Sequence, residues 1–196
     1  MPQLLVLSGS SRSESLNTKL ATCVGAAVVR QGAEVQMVNL DVFELPIYNG
    51  DLEQSSGLPD AAKRLKQLLL SSAGIVVACP EYNGFMTPLL LNAIDWCTRS
   101  EKGSGDLSAF ADKPVLVISA SPGPGGGSRA NSHLKTMLSG IGSFVFPATL
   151  TVPVAHKAFT ETGEFSDASM AQRAERLVTR FVQFTDRFEN PAQSTT

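Results

Sequence analysis

Three continuous apolar runs set the limits on what this chain can become: Leu4-Leu5-Val6-Leu7, Ile75-Val76-Val77-Ala78-Cys79 and Val115-Leu116-Val117-Ile118. None alternates with polar residues, so each suits a strand covered on both faces, as in a parallel sheet. Parallel neighbours need a crossover between them, and helical periodicity follows each run. After the first, Leu16, Leu20, Val24, Ala27 and Val28 share one stripe and Gly32 supplies the stop. A second strand, Glu34 to Leu40, alternates more and fits a sheet edge. Asp41 to Gly57, with Pro46, Tyr48-Asn49-Gly50 and Ser55-Ser56-Gly57, reads as a long irregular connection.

Pro59 belongs to the first turn of a helix that points Ala62, Leu65, Leu68 and Leu69 inward. The helix after the third strand carries Leu89, Leu90, Ala93, Ile94 and Trp96-Cys97, and Ser100 to Gly105 reads as a flexible loop. Past the fourth strand, a glycine-rich turn, Ser119 to Ser128, opens a helix with Ala130, Leu134, Met137 and Leu138 inside. Phe144 to Val152 is a fifth, proline-interrupted strand. Met170, Ala174, Leu177, Phe181, Phe184 and Phe188 mark the last helix, with Arg173, Arg176, Arg180 and Arg187 on its solvated face. The pattern predicts an α/β fold: a three-layer, doubly wound, five-stranded parallel sheet of order 2-1-3-4-5 with right-handed crossovers. A single domain over residues 1–190 is expected, with 191–196 as a tail.

A net charge of −2, with no basic run, gives no electrostatic case for nucleic acid or an anionic membrane. The first apolar run is too short for a signal segment, no run is long enough to span a bilayer, and a cytoplasmic protein is expected. Cys23, Cys79 and Cys97 lie far apart in apolar stretches and read as buried free thiols. With two histidines and no Cys-x-x-Cys, no metal site is expected.

In a sheet of this order the ligand crevice lies past the carboxyl ends of strands one and three, with strand four next to them. The turns after those strands are the chemically unusual ones. The first, Gly9-Ser10-Ser11-Arg12-Ser13-Glu14-Ser15-Leu16-Asn17, places hydroxyls, one guanidinium and an amide beside a helix N-terminus, where an anion is favoured. It lacks the glycine and lysine of a Walker loop and the glycine spacing of a dinucleotide fingerprint, which points to a terminal phosphate. The alternative is a serine-rich turn that only caps a helix. The second turn, Pro80-Glu81-Tyr82-Asn83-Gly84, gathers polar and aromatic groups, with Gly84 free to take a positive φ and Tyr82 able to line a planar ligand. The third, Ser119 to Ser128, exposes backbone to a flat ring or is simply a flexible link.

Gly9 to Asn17, Pro80-Glu81-Tyr82-Asn83-Gly84 and Asn92-Ala93-Ile94-Asp95-Trp96 together resemble the NADPH-dependent FMN reductase family, which includes chromate and quinone reductases on a flavodoxin-like fold. The resemblance implies FMN as cofactor and NADPH or NADH as donor. It implies that Ser10, Arg12, Ser15, Leu16 and Asn17 hold the FMN phosphate. It further implies that Pro80, Glu81, Tyr82, Asn83 and Gly84 border the isoalloxazine and that Ser121 and Gly123 meet its other side. Two places depart from the family pattern: Phe85 stands where a small polar residue is common, and Leu91 where a lysine is common. Family members dimerise near the flavin, so the apolar run Phe85 to Leu91 is expected to form a partner face in a homodimer or homotetramer.

The expected activity is hydride transfer from NAD(P)H to FMN and on to a quinone-like or other small-molecule acceptor. Because the flavin carries the hard chemistry, no catalytic side chain is expected. His133 and His156 adjoin no serine or cysteine in a recognisable catalytic motif. The rival readings are a flavodoxin-type electron carrier and an FMN-binding protein without its own substrate. Arg12 and the weak net charge disfavour the carrier, which docks its partners through strongly acidic surfaces.

Overall fold

The computed structural model describes residues 2–189. The chain runs β1 (Gln3–Ser8), α1 (Leu16–Arg30), β2 (Glu34–Asn39), a 3₁₀ turn (Leu40–Phe43), α2 (Gly50–Ser56), α3 (Asp60–Ser71) and β3 (Gly74–Ala78). There follow β4 (Glu81–Tyr82), β5 (Phe85–Met86), α4 (Pro88–Cys97), β6 (Pro114–Ala120), α5 (Ser128–Gly140), β7 (Phe144–Val145), β8 (Leu150–Val152), a second 3₁₀ turn (Ala155–Lys157) and α6 (Ala168–Glu189).

The main sheet is parallel and ordered β2-β1-β3-β6-β7, with β8 also pairing β6. This is the expected 2-1-3-4-5 order of flavodoxin-like sheets, its fifth place shared by two short segments. The proline-interrupted strand of the sequence is thus two strands: Phe144 and Phe146 donate their N–H groups to Lys113 O and Val115 O of β6, the pairing lapses from Pro147 to Thr149, and β8 resumes it.

Alternate residues of the central strands feed opposite layers. Leu4, Val6, Val76, Ala78, Leu116 and Ile118 pack with α1 and α6, while Leu5, Leu7, Ile75, Val77, Val115 and Val117 pack with α3, α4 and α5. The three central strands are therefore apolar along their middles, whereas only Val38 of β2 is buried. The helix stripes hold, with Leu16, Leu68, Met137, Met170 and Phe184 half-buried and Phe188 exposed at the margins.

Three expectations need correction. The connection after β2 is not irregular: it holds the 3₁₀ turn and α2, started by the Asn49 side chain, which accepts from the N–H groups of Asp51 and Leu52. Asn49 reads as a turn residue, and seven residues are too few for helical periodicity to show. Asn92 and Trp96 pin this segment: the Asn92 side chain accepts from Tyr48 N–H and donates to Pro46 O, and Trp96 Nε1 donates to Pro46 O at 2.7 Å. The run Phe85 to Leu91 faces largely inward. Met86 and Leu90 are buried and Leu89 and Leu91 lean on the same core, which leaves Phe85 outside.

The Ser100 to Gly105 segment is a closed turn, with Ser100 N–H donating to Ser104 O at 2.8 Å and Gly103 N–H to Ser100 O. Lys66, buried on α3, donates to the Arg99 carbonyl and to Asp106 at 2.8 Å. This ammonium holds the Asp106 carboxyl down at about 2, below its ordinary 3.8. A carboxyl depressed in the folded state stabilises above its unfolded pKa and stops doing so as pH falls through the folded one. Urea midpoints of the wild type are therefore expected to drop more steeply from pH 4 toward pH 2 than those of Asp106→Asn. Parallel slopes would remove the pair from the acid response.

Candidate functional site

The turns leaving β1, β3 and β6 meet over one cleft. Ser10, Arg12, Ser15, Leu16 and Asn17 line it from the first turn and Pro80, Glu81 and Tyr82 from the second. Ser121 lines it from the third, together with Ala120 and Pro122, which the sequence did not single out. Those two follow from the strand end alone: Ala120 is the last residue of β6. The cleft lies at the switch point, where β1 has β2 on one side and β3 on the other.

The first turn is fixed at its root. Gly9 N–H donates to Ala78 O at 2.9 Å, and a Cβ on Gly9 would lie 3.0 Å from both Leu90 and Pro80, so the approach of α4 requires glycine. Thr87 caps α4 and donates its hydroxyl to Gly9 O at 2.6 Å. Ser15 caps α1 by accepting from Thr18 N–H at 3.2 Å, and the Thr18 hydroxyl reaches Ser8 Oγ. The N–H groups of Ser11, Ser13, Glu14, Leu16 and Asn17 find no acceptor among the described residues. Arg12 is exposed and faces no carboxylate among them. Glu14, the one acid of the turn, is held by Lys19 at 2.7 Å, which lowers its pKa. The turn thus concentrates donors and uncompensated positive charge at a helix N-terminus.

Asn17 works differently from its neighbours. Its Nδ2 donates to Ala120 O at 2.8 Å and its Oδ1 accepts from Ala120 N–H at 2.9 Å. The buried amide therefore ties α1 to the end of β6, and only the backbone N–H remains unpartnered.

The second turn is a hairpin, β4 and β5 pairing antiparallel with Glu81 opposite Met86 and Tyr82 opposite Phe85. Asn83 and Gly84 at its tip have φ of 53° and 81°, the double left-handed geometry of a tight hairpin turn. They lie at the tip, outside the residues that line the cleft. The Glu81 carboxylate accepts from the N–H groups of Arg129 and Ala130 at 3.1 and 3.2 Å and from the Arg129 guanidinium at 2.8 Å. It supplies the N-terminal cap that Gly127 cannot give to α5. Burial pushes its pKa up, but the guanidinium and the two N–H groups outweigh that and leave it below the ordinary value. The only acid lining the cleft among the described residues is thereby neutralised in place.

In the third turn the glycines divide. Gly126 and Gly127 have positive φ, and a Cβ on either would meet backbone of Val152 and Pro153 or the side chain of Ser119 at 2.8–3.1 Å. Gly123 and Gly125 have open surroundings, with no neighbour nearer than 3.6 Å. Ser121 donates its N–H to Val152 O of β8 and accepts from Ala155 N–H of the second 3₁₀ turn.

Burial pushes the Cys79 and Cys97 thiols up to about 12 and the half-buried Cys23 up to about 11. His133 is exposed and rests on the Phe85 ring. Among the described residues no three metal-ligating side chains come together, and no helix is long and apolar enough to cross a membrane.

The family model for NADPH-dependent FMN reductases matches residues 2–157. The chain belongs to that family. It is 29% identical over 187 residues to the quinone reductase of Escherichia coli K12, covering 94% of this chain and 96% of that one. It is 34% identical over 137 residues to an NAD(P)H-dependent FMN reductase of Pseudomonas aeruginosa, covering 69% of each. The flavoenzyme NAD(P)H:(acceptor) oxidoreductase FerB from Paracoccus denitrificans superposes with a TM-score of 0.81 at 28% identity, over 96% of this chain and 99% of that one. As a member of the FMN reductase family, the chain is an oxidoreductase that uses FMN and NAD(P)H.

Proposed function

We propose that the cleft at the ends of β1, β3 and β6 holds FMN with its phosphate on the first turn, and that a quinone-like molecule takes the electrons at its open mouth. The observation that carries this reading is the set of unpartnered N–H groups beside Arg12 at the start of α1, in one cleft with Pro80, Tyr82 and Pro122. The residues fit the group. A doubly charged phosphate would meet donors, the Ser10 and Ser15 hydroxyls and a free guanidinium, with Glu14 and Glu81 already paired. Pro80, Tyr82 and Pro122 offer flat apolar walls to a ring, and Gly123 leaves room for its edge.

FMN, when bound, supplies the chemistry that takes a hydride from the nicotinamide and passes two electrons to the acceptor. The chain's own residues bind, orient and shield. Asn17 keeps the first and third turns in register, and Glu81 and Thr87 fasten the hairpin between α5 and the Gly9 carbonyl. The net reaction consumes NAD(P)H, a proton and a quinone and yields NAD(P)⁺ and a hydroquinone. The same proposal has residues 1–190 acting as one domain in the cytoplasm. It further has the chain assembling as a homodimer or homotetramer, which the exposed apolar side chains Val42 and Ile47 support.

Two measurements test it. Ligand released from purified protein is expected to be FMN, and recovery of FAD or riboflavin alone would contradict the single-phosphate site. FMN-loaded protein is expected to oxidise NAD(P)H in steady state with a benzoquinone acceptor. A protein that holds FMN but is inert with every acceptor would be an electron carrier or a binding protein instead.

A further inference from the structure

At the mouth of the cleft the chain leaves an aromatic face uncovered and holds it rigidly. Neighbouring residues of a strand point to opposite sides, so the pair Glu81–Met86 faces inward and the pair Tyr82–Phe85 outward. Met86 is 4% exposed, whereas Tyr82 is 48% and Phe85 43% exposed. Tyr82 lines the cleft. Behind Phe85 stands His133 of α5, ring centroids 4.8 Å apart and planes at 46°. The hairpin has little freedom to fold these rings away. Its two-residue turn is closed by Asn83 and Gly84, Glu81 clamps it to α5, and Thr87 joins its far end to the Gly9 carbonyl. Its neighbouring charges, Glu81 and Arg129, neutralise one another. The hairpin side of the rim therefore offers flat π surface without net charge, which suits a neutral planar ring, while the free guanidinium of Arg12 stands on the first turn, where the phosphate is proposed to sit.

We infer that Phe85, backed by His133, sets acceptor specificity: with Tyr82 it forms a platform that receives flat, uncharged aromatic acceptors and does not favour compact anionic ones. This rests on the proposal that the cleft is the flavin site, and it assigns a residue outside the cofactor-binding turns. Phe85 is a positioning residue: it sets where the acceptor ring lies and takes no part in electron transfer.

The experiment compares wild type, Phe85→Ser, Phe85→Tyr and His133→Ala as FMN-loaded proteins, with a benzoquinone and with ferricyanide at saturating NAD(P)H. Phe85→Ser is expected to lower the ratio of benzoquinone to ferricyanide kcat/KM about tenfold, mainly through the quinone KM. His133→Ala should lower it two- to threefold, and Phe85→Tyr should retain it. Titration of oxidised holoprotein with 2-naphthol, a flat and redox-inert probe, should show about tenfold weaker binding in Phe85→Ser. Equal changes with both acceptors, or unchanged 2-naphthol binding, would overturn the assignment. So would a change of assembly state in Phe85→Ser by light scattering, which would make a second copy of the chain the occupant of this face. Wild-type protein that turns over neither acceptor sinks the functional reading itself, whereas active wild type with an unaltered ratio in Phe85→Ser sinks only this one.

Discussion

Gly127→Ala is expected to lose about 2–4 kcal/mol of folding stability, read as a lower urea midpoint at unchanged slope. Gly127 has φ 85° and ψ 19°, a left-handed conformation that costs a residue with a Cβ on the order of 1 kcal/mol or more. The new methyl would also stand 2.8 Å from Ser119 Cβ. Ser119 has nowhere to go: it is fully buried in β6 and its hydroxyl donates to Gly126 O. Gly123→Ala is the informative companion. Among the described residues, its chain neighbours aside, nothing lies nearer than 3.6 Å to its Cβ position, so stability should stay within about 0.5 kcal/mol of wild type. If FMN meets this turn, Gly123→Ala should nonetheless weaken FMN binding. A stable Gly127→Ala protein would show that β6 can yield, and a destabilised Gly123→Ala would place that glycine in the fold's service as well.

Arg12→Ala is expected to weaken FMN binding by about 1.5–3 kcal/mol, the usual worth of a hydrogen bond to a charged group. The expected loss is large because Arg12 is, among the described residues, the only cation lining the cleft and has no carboxylate to return to. Fold stability without flavin should be unchanged, since Arg12 is exposed and its side chain makes no hydrogen bond among the described residues. Equilibrium titration of stripped protein with FMN checks it, with riboflavin as control. Riboflavin affinity should be the same in both proteins, because it has no phosphate. An equal loss for FMN and riboflavin would move the phosphate away from this turn.

The parallel sheet and its order were legible because Leu4–Leu7, Ile75–Cys79 and Val115–Ile118 are buried on both faces and leave no polar residue to confuse the period. The crevice followed from topology, and nine of the twelve residues proposed for the cofactor line one cleft. Local reading failed where a residue's partner lies far along the chain. Glu81 looks like a group at a ring edge until Arg129 and Ala130 arrive, 48 and 49 residues later. The same holds for Asn17, whose amide meets Ala120 across 103 residues. Lys66 and Lys113, which no sequence pattern singles out, are both buried, Lys113 donating to the carbonyls of Leu69, Leu70 and Ser72 at the end of α3. No periodicity announces such a lysine, because its stem packs as an aliphatic chain and only its tip is polar.

The division of the last strand also bears on how this protein behaves when crowded or partly unfolded. A sheet's outer strand is a template for foreign chains unless it is short or broken. Beside β6 the outer line is two residues, then the four residues Phe146 to Thr149, then three residues, which offers no recruit more than a few hydrogen bonds in register. The opposite margin, β2, is six unbroken residues with Met37 exposed and only Glu34 carrying charge. Strand-addition aggregation of this enzyme should therefore begin at β2, and a lysine in place of Met37 is the substitution that would guard it.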